Sequence, residues 1–180
     1  MKSKKLAIFL DRDGVINKEV NYLYNPNDFE FIDGSIEALQ ILKKKGYLLI
    51  VITNQAGIAR GYFTEIILGK IHDKMMKTLN ENKVFLDNIF YCPHHPEFTG
   101  KCNCRKPNPG MIKQAMEKYN IDLENSYMVG DTINDIKTGK NAHCKTILVL
   151  TGHGKKEQKQ ISTIKPDMIC ANLLEFAKNI

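Results

Sequence analysis

Apolar runs of four to seven residues recur along the chain, each followed by a stretch of helical periodicity. This alternation restricts the fold more than any other feature. LAIFLD (6–11), YLLIVIT (47–53), NIFYC (88–92), SYMVGD (126–131), KTILVL (145–150) and DMIC (167–170) read as strands, being short, near-continuously apolar and bounded by polar or turn residues. Between them, Ser35 to Lys45 reads as a helix with Ile36, Leu39 and Leu42 on one face and Gly46 at its end. Thr64 to about Glu81 reads as a long helix capped by Thr64, and Pro109 to Lys118 as one with Pro109 in its first turn. A helix over 133–142 and a last one from Leu173 follow. Strand and helix in regular alternation predict an α/β fold with a central, mostly parallel sheet between helical layers. With 180 residues, 43% of them hydrophobic, one domain spanning 1–180 is expected, without repeat or linker.

Composition narrows the function classes. No apolar run approaches the roughly 18 residues of a membrane span. The start, MKSKKLAIFLDRDG, turns acidic before a leader cleavage site could occur. A soluble, cytoplasmic protein with no membrane partner is expected. The net charge of +6 suits a phosphorylated ligand or nucleic acid. However, Lys43, Lys44 and Lys45 sit at a helix end, Lys155, Lys156 and Lys159 in a polar connection, and both runs read as solvated faces. Without an aromatic RNA-binding signature or helix-turn-helix pattern, nucleic acid is not expected as a partner.

Three strands end in polar groups: Asp11 after LAIFL, Thr53-Asn54 after LLIVI, and Asp131 after MVG. In an open parallel sheet, ligands bind beyond the carboxyl ends of the strands, where strand order reverses. Asp11 and Asp13 are two carboxylates one residue apart, before a glycine that permits a turn, and their side chains can approach one centre. Such a pair repels itself unless a cation or a shared proton intervenes, and oxygen-only ligands, with Asp131 as a third, favour Mg²⁺. A carboxylate aimed at phosphorus can act as nucleophile while a neighbouring acid protonates the leaving alcohol. Thr53, Asn54 and Lys106 are candidates to steady a phosphoryl group. Asp-x-Asp is also a plain turn signal, and only its coincidence with the other tips favours chemistry.

The stretch CPHHPEFTGKCNCRKP, from Cys92, holds three of the five cysteines and two of the five histidines. Cys92-x-His94 and Cys102-x-Cys104, seven residues apart, supply three thiolates and an imidazole, which suits a closed four-coordinate zinc site. His95 competes with His94 as ligand. Reduced cysteines packed in a core are the alternative, though Pro, His and Lys make this a poor core segment. A filled site would carry a charge of about −1 by ligand counting and no open position, so its task would be to stiffen the loop presenting Arg105 and Lys106. Cys144 and Cys170 read as small buried hydrophobes, and Met75, Met76, Met111 and Met116 as packing residues.

The ordered set LDRDG, ITNQ, RKP and VGDTINDI resembles the haloacid-dehalogenase-type phosphohydrolases. The wider runs FLDRDGVIN, FEFIDG, TNQAGIARG, YCPHHP, CNCRKPNPGM and SYMVGD resemble their heptose-bisphosphate phosphatase branch, over roughly residues 5 to 152. The resemblance implies a Rossmann-like three-layer fold without a large cap domain, covered only by the 17–31 segment and the zinc loop. It implies Asp11 as nucleophile and Asp13 as general acid/base, with Mg²⁺ held by Asp11, the Asp13 backbone carbonyl and Asp131. It further implies Thr53 and Lys106 on the transferring phosphoryl group, and Arg105 on the part of the substrate that does not react. Glu19 and Tyr22, with Asn54 and Gln55 opposite, would line the substrate, and the zinc ligands would be Cys92, His94, Cys102 and Cys104. The implied substrate is a small sugar phosphate, with the C7 phosphate of D-glycero-D-manno-heptose 1,7-bisphosphate removed on the route to nucleotide-activated heptose for lipopolysaccharide. The protein is expected to act as a monomer.

Two departures and two competitors accompany this reading. Thr132 stands where the family commonly has Lys or Arg, and Asp135 is assigned to orienting Lys106 or a metal-bound water. A histidinol-phosphate phosphatase shares the Asp-x-Asp and the zinc clasp, but TNQAGIARG and FEFIDG favour the heptose branch. A zinc-stabilised binding module without turnover would have no need of a nucleophile.

Overall fold

The computed structural model describes residues 3–161 and 164–180; the first two residues of the leader reading lie outside them. In chain order the elements are β1 (Ala7–Leu10), α1 (Ser35–Lys44), β2 (Leu48–Asn54), α2 (Glu65–Glu81), β3 (Asn88–Cys92), α3 (Pro96–Thr99), α4 (Gly110–Tyr119), β4 (Tyr127–Gly130), α5 (Ile133–Asn141), β5 (Lys145–Val149), α6 (Gly154–Glu157), β6 (Met168–Cys170) and α7 (Leu173–Asn179). Short 3₁₀ turns occupy Pro26–Asp28 and Gln158–Gln160. The six strands form one sheet, ordered β3-β2-β1-β4-β5-β6, and every pairing is parallel. The chain builds outward from β1 through β2 to β3, then returns to the other side of β1 for β4, β5 and β6. Strand order therefore reverses between β1 and β4, the strands that end beside Asp11 and Asp131.

Because successive strand side chains point to opposite faces, each strand feeds two cores. Ile8 and Leu10 of β1, with Leu49 and Val51 of β2, pack against Ala38, Leu39 and Leu42 of α1, Ile71, Met75 and Leu79 of α2, and Phe176 of α7. Ala7 and Phe9, with Ile50 and Ile52, face Met111, Ile112 and Ala115 of α4. Helix α5 also lies on this second side, where Gly139 meets Met128 and Thr146 so closely that a Cβ would clash. Both faces being covered explains why the strands read as unbroken apolar runs.

Thr64 caps α2 through its hydroxyl, which accepts from the Ile67 N–H. Pro109 is the cap residue before α4, one position outside the helix expected to contain it. Lys43 pairs with Asp87 at 2.6 Å, and Lys45 reaches the Ile180 carbonyl, so these two are not simply solvated. The one-turn helices α3 and α6 were not legible as periodic patterns, since four residues complete barely one turn. Among the described residues, no helix is long and apolar enough to cross a membrane.

Candidate active site

The tips of β1, β2 and β4 meet over a cavity of about 290 Å³ lined by Asp11, Asp13, Thr53, Asn54, Gln55 and Asp131. Arg105 and Lys106 enter it from the loop after β3, and Glu19 and Tyr22 from the loop after β1. Carboxylate oxygens of Asp11, Asp131 and Asp135 lie within 4.8 Å of one another. Lys106, 3% exposed, answers them: Nζ sits 2.8 Å from Asp11 Oδ2 and 2.6 Å from Asp135 Oδ1. The other Asp11 oxygen accepts from the Arg12 N–H at 2.8 Å. Burial, offset in part by Lys106 and reinforced by Asp135, pushes Asp11 up to about 7. Burial and then the Asp135 and Asp11 charges push Asp131 up to about 8. Lys106 itself is raised, since Asp11 and Asp135 outweigh its burial. Three carboxylates share one ammonium, a surplus that a hard divalent cation with oxygen ligands fits.

By spacing, the Asp11 and Asp13 carboxylates can approach one centre; in the structure both line the cavity, and Asp13 has a set of partners of its own. Asp13 turns into a cage where Arg12 grips it with Nη2 at 2.8 and 3.0 Å, Asn17 Nδ2 donates at 2.9 Å and Gln55 Nε2 at 3.0 Å. Burial would raise Asp13, but the Arg12 charge and these hydrogen bonds hold it below its ordinary value. The carboxylate that joins Asp11 and Asp131 instead is Asp135. Arg12 is wholly buried, and its Nη1 lies 3.2 Å from His72 Nε2. Burial, then the Arg12 charge, lowers His72 to about 4, so the ring stays neutral and accepts from the guanidinium. Sequence reasoning passed over Arg12 and His72. An arginine between two acids reads as surface, and only its burial reveals it as the fixed partner of Asp13.

The remaining positions are already partly engaged. Asn54 Oδ1 accepts from the Lys106 N–H at 3.0 Å while its Nδ2 donates to the Lys106 carbonyl at 3.2 Å, fixing that backbone. Gln55 Nε2 also donates to the Thr53 hydroxyl at 2.9 Å, which leaves that hydroxyl's proton available. Thr132 caps α5 in a reciprocal box with Asp135, its hydroxyl 2.6 Å from Asp135 Oδ2, so it offers the cavity little. Glu19 faces the acids, and burial followed by the Asp13 and Asp11 charges pushes it up to about 7.

A further loop, after β5, also shapes the site. The Thr151 hydroxyl donates to the Gly14 carbonyl at 2.6 Å, and the His153 N–H donates to Asp131 Oδ2 at 2.7 Å. Between them Gly152, at φ +53°, lies so close that any Cβ would run into Asp131 Oδ2. Gly14, at φ +79°, is pressed against the same carboxylate oxygen and lies against Gly152. Asp131 is thus clamped by two left-handed glycines. A TG dipeptide after an apolar run was the available signal.

Cys92, His94, Cys102 and Cys104 come together beside this cavity. The Sγ and Nδ1 atoms stand 2.9 to 3.6 Å apart along the recorded edges, near the roughly 3.5–3.8 Å edges of a tetrahedron with Zn–S of about 2.3 Å. All five cysteines are free thiols. Burial is the leading cause that raises Cys92 and Cys104, and a dication is what draws such thiols into the thiolate form. His95 faces away, its Nε2 3.0 Å from Arg60 Nη2. Arg105 Nη1 donates to the His94 carbonyl at 3.2 Å, tying the cavity mouth to the clasp.

Known proteins resemble this chain in sequence and fold. A family model for HAD-like hydrolases matches residues 103–176. The chain is 50% identical over 167 residues to D-glycero-beta-D-manno-heptose-1,7-bisphosphate 7-phosphatase of Pasteurella multocida, covering 87% of this chain and 91% of that one. It is 43% identical over 181 residues to D-glycero-alpha-D-manno-heptose-1,7-bisphosphate 7-phosphatase of Photorhabdus laumondii, covering 97% and 99%. The crystal structure of D,D-heptose 1,7-bisphosphate phosphatase from B. bronchiseptica, complexed with magnesium and phosphate, matches with a TM-score of 0.90 at 36% identity, covering 97% and 96%. On this identity and coverage, the chain belongs to the heptose-1,7-bisphosphate 7-phosphatase family of HAD-like hydrolases.

Proposed function

We propose that the protein removes the C7 phosphate of D-glycero-D-manno-heptose 1,7-bisphosphate, leaving heptose 1-phosphate, with Asp11 as nucleophile. The observation that carries this reading is the buried Asp11–Lys106–Asp135 chain, with salt bridges of 2.8 and 2.6 Å, in a family whose named relatives perform this hydrolysis. An Asp11 oxygen bonds to phosphorus as the bond from phosphorus to the C7 oxygen breaks. Lys106, with two ammonium protons directed at Asp11 and Asp135, keeps a third for a phosphoryl oxygen, and the Thr53 hydroxyl donates to another.

Asp13 serves as acid and then as base. Its cage keeps it ionised before substrate arrives, and a phosphate dianion beside it raises its proton affinity. It takes up a proton from solvent as the substrate binds and gives that proton to the departing C7 oxygen. The resulting carboxylate takes a proton from the water that cleaves the aspartyl-phosphate. Asp135, with one oxygen on Lys106 and the other on Thr132, positions the ammonium.

Asp11, Asp131 and, by the family resemblance, the Asp13 carbonyl would hold Mg²⁺, which supplies charge neutralisation between the carboxylates and the phosphoryl oxygens. Cys92, His94, Cys102 and Cys104 would hold structural Zn²⁺. Arg105, in the cavity and with one Nη spent on His94, turns its remaining donors to the phosphate that stays on the sugar. Glu19, raised to about 7 and so partly protonated near neutrality, can donate to a sugar hydroxyl, beside Tyr22. The same reading makes the protein one domain, a monomer, and an enzyme of the cytoplasm, where thiols stay reduced.

The test is phosphate release with Mg²⁺ from both anomers of the heptose bisphosphate and from histidinol phosphate. The heptose substrates are expected to be turned over with at least about a hundredfold higher kcat/KM. Preference for histidinol phosphate would overturn the substrate assignment while leaving the chemistry in place.

A further inference from the structure

Two neighbouring loops, after the paired strands β2 and β3, line the cavity mouth. One is the segment after β2, whose Gln55, Ala56 and Gly57 line the cavity; the other is the clasp loop that ends in Arg105. At the base they are joined by the Gln55 N–H, which donates to the Cys92 carbonyl at 2.8 Å. At the far end, Arg60 crosses from the first loop to the second. Its Nη2 lies 3.0 Å from His95 Nε2, its guanidinium carbon sits 4.9 Å from the centre of the Phe98 ring, and Glu97 Oε2 is 4.0 Å away. The Arg60 N–H meanwhile donates to the Ala56 carbonyl at 3.1 Å, so the side chain is carried by the turn that lines the cavity.

We infer that Arg60 is a positioning residue for substrate recognition: it clamps the clasp loop through His95 and Phe98 and so fixes where Arg105 presents its guanidinium. This rests on the function proposed above and extends it to a residue outside the cavity. A guanidinium can only donate, so His95 Nε2 faces Arg60 as acceptor, while His95 Nδ1 caps the following turn, 3.4 Å from the Glu97 N and 3.8 Å from Glu97 Oε2. His95 is thereby held on both sides. The preceding residue, His94, gives one atom to the clasp and its carbonyl to Arg105 Nη1 at 3.2 Å. The Nε of Arg60 is buried without a partner, a cost that a shorter or apolar residue would not incur. A surface ion pair with Glu97, which is mostly exposed, would not repay it. The fork and the ring stack on Phe98 are what only arginine supplies here.

The test compares steady-state kinetics of Arg60→Met, Arg60→Lys, Arg105→Met and the Arg60→Met/Arg105→Met double variant. The substrates are the heptose bisphosphate and p-nitrophenyl phosphate, which has no second phosphate, and zinc content is measured alongside. Arg60→Met is expected to raise KM for the bisphosphate roughly tenfold with kcat within about threefold, and to leave KM for p-nitrophenyl phosphate within about twofold. Arg60→Lys should fall between it and the wild type. The double variant should be no worse than Arg105→Met alone, because a residue acting through another adds nothing once that one is gone. Equal losses on both substrates, additive losses in the double variant, or loss of zinc in both Arg60 variants would overturn the inference. A wild-type protein inert toward the bisphosphate would defeat the proposed function instead. Wild-type turnover with an unchanged KM in Arg60→Met would defeat only the role of Arg60.

Discussion

The two ligand clusters at the carboxyl end of the sheet are built on opposite principles. In the acidic cluster, oxygens of Asp11, Asp131 and Asp135 crowd within 4.8 Å, with Asp11 and Asp131 on the cavity, Asp135 buried behind them and Lys106 bridging Asp11 and Asp135. Burial and mutual repulsion raise Asp11 to about 7 and Asp131 to about 8. In the clasp, three sulfurs and one nitrogen close on each other with edges of 2.9 to 3.6 Å. A site meant for chemistry is left short of positive charge, so that a cation and a phosphate complete it. A site meant for rigidity completes its own tetrahedron and leaves no position for a substrate.

The sharpest way to break this contrast is Asp11→Asn. Turnover should fall at least roughly a thousandfold, since an amide cannot form the aspartyl-phosphate, while zinc content and fold stay at wild-type values. Phosphate release, metal analysis and circular dichroism together check it, and normal turnover would remove Asp11 from its role. Cys102→Ser should do the reverse and act on the scaffold first. Zinc is lost, and a destabilisation of about 3–5 kcal/mol lowers Tm by about 10 °C. Unchanged zinc stoichiometry would mean that the four residues do not act as a ligand set.

A finer test leaves every ligand in place. Gly152→Ala drives a Cβ into Asp131 Oδ2, and the Mg²⁺ concentration for half-maximal rate should rise about tenfold or more, as when an outer support of a metal ligand is disturbed. Zinc content should not move. A magnesium titration of the rate reads the first outcome, and an unchanged titration would show that the loop after β5 does not fix Asp131.

The smallest expected effect lies at the buried pair of Arg12 and His72. His72 ordinarily titrates near 6.5 and is lowered to about 4 in the fold. The unfolded chain therefore takes up a proton below pH 6.5 that the folded ring refuses, so stability is full above 6.5 and declines as pH falls toward 4. Between pH 6.5 and 5.5 this amounts to about 1 kcal/mol. Urea denaturation across that window should show the decline, and His72→Gln should flatten it. An equal slope in the variant would assign the decline to other groups.

Much of this protein is legible before folding. The six strands were placed to within about two residues, because a strand buried on both faces must be apolar at nearly every position. The polar residues after β1, β2 and β4 pointed to one crevice, because a parallel sheet puts all its carboxyl ends on one side. The Cys-x-His and Cys-x-Cys pairs stood out by ligand chemistry alone, which is local and visible in donor types. Direction and partnership were not visible. That Asp13 is held by Arg12 involves His72, sixty residues from that arginine, and Gln55, forty-two residues from Asp13. The clamp on Asp131 comes from Gly14 and from a loop after a different strand.

The sequence by itself determined the alternation of strands and helices, the kinds of donor at each strand tip and the two metal-suited sets, since these follow from side-chain polarity and spacing along a single element. Only the tertiary structure decided which carboxylates face one another, which arginine is buried and which loop holds which, because those are distances between segments remote in the chain, set by how two helical layers pack on one sheet.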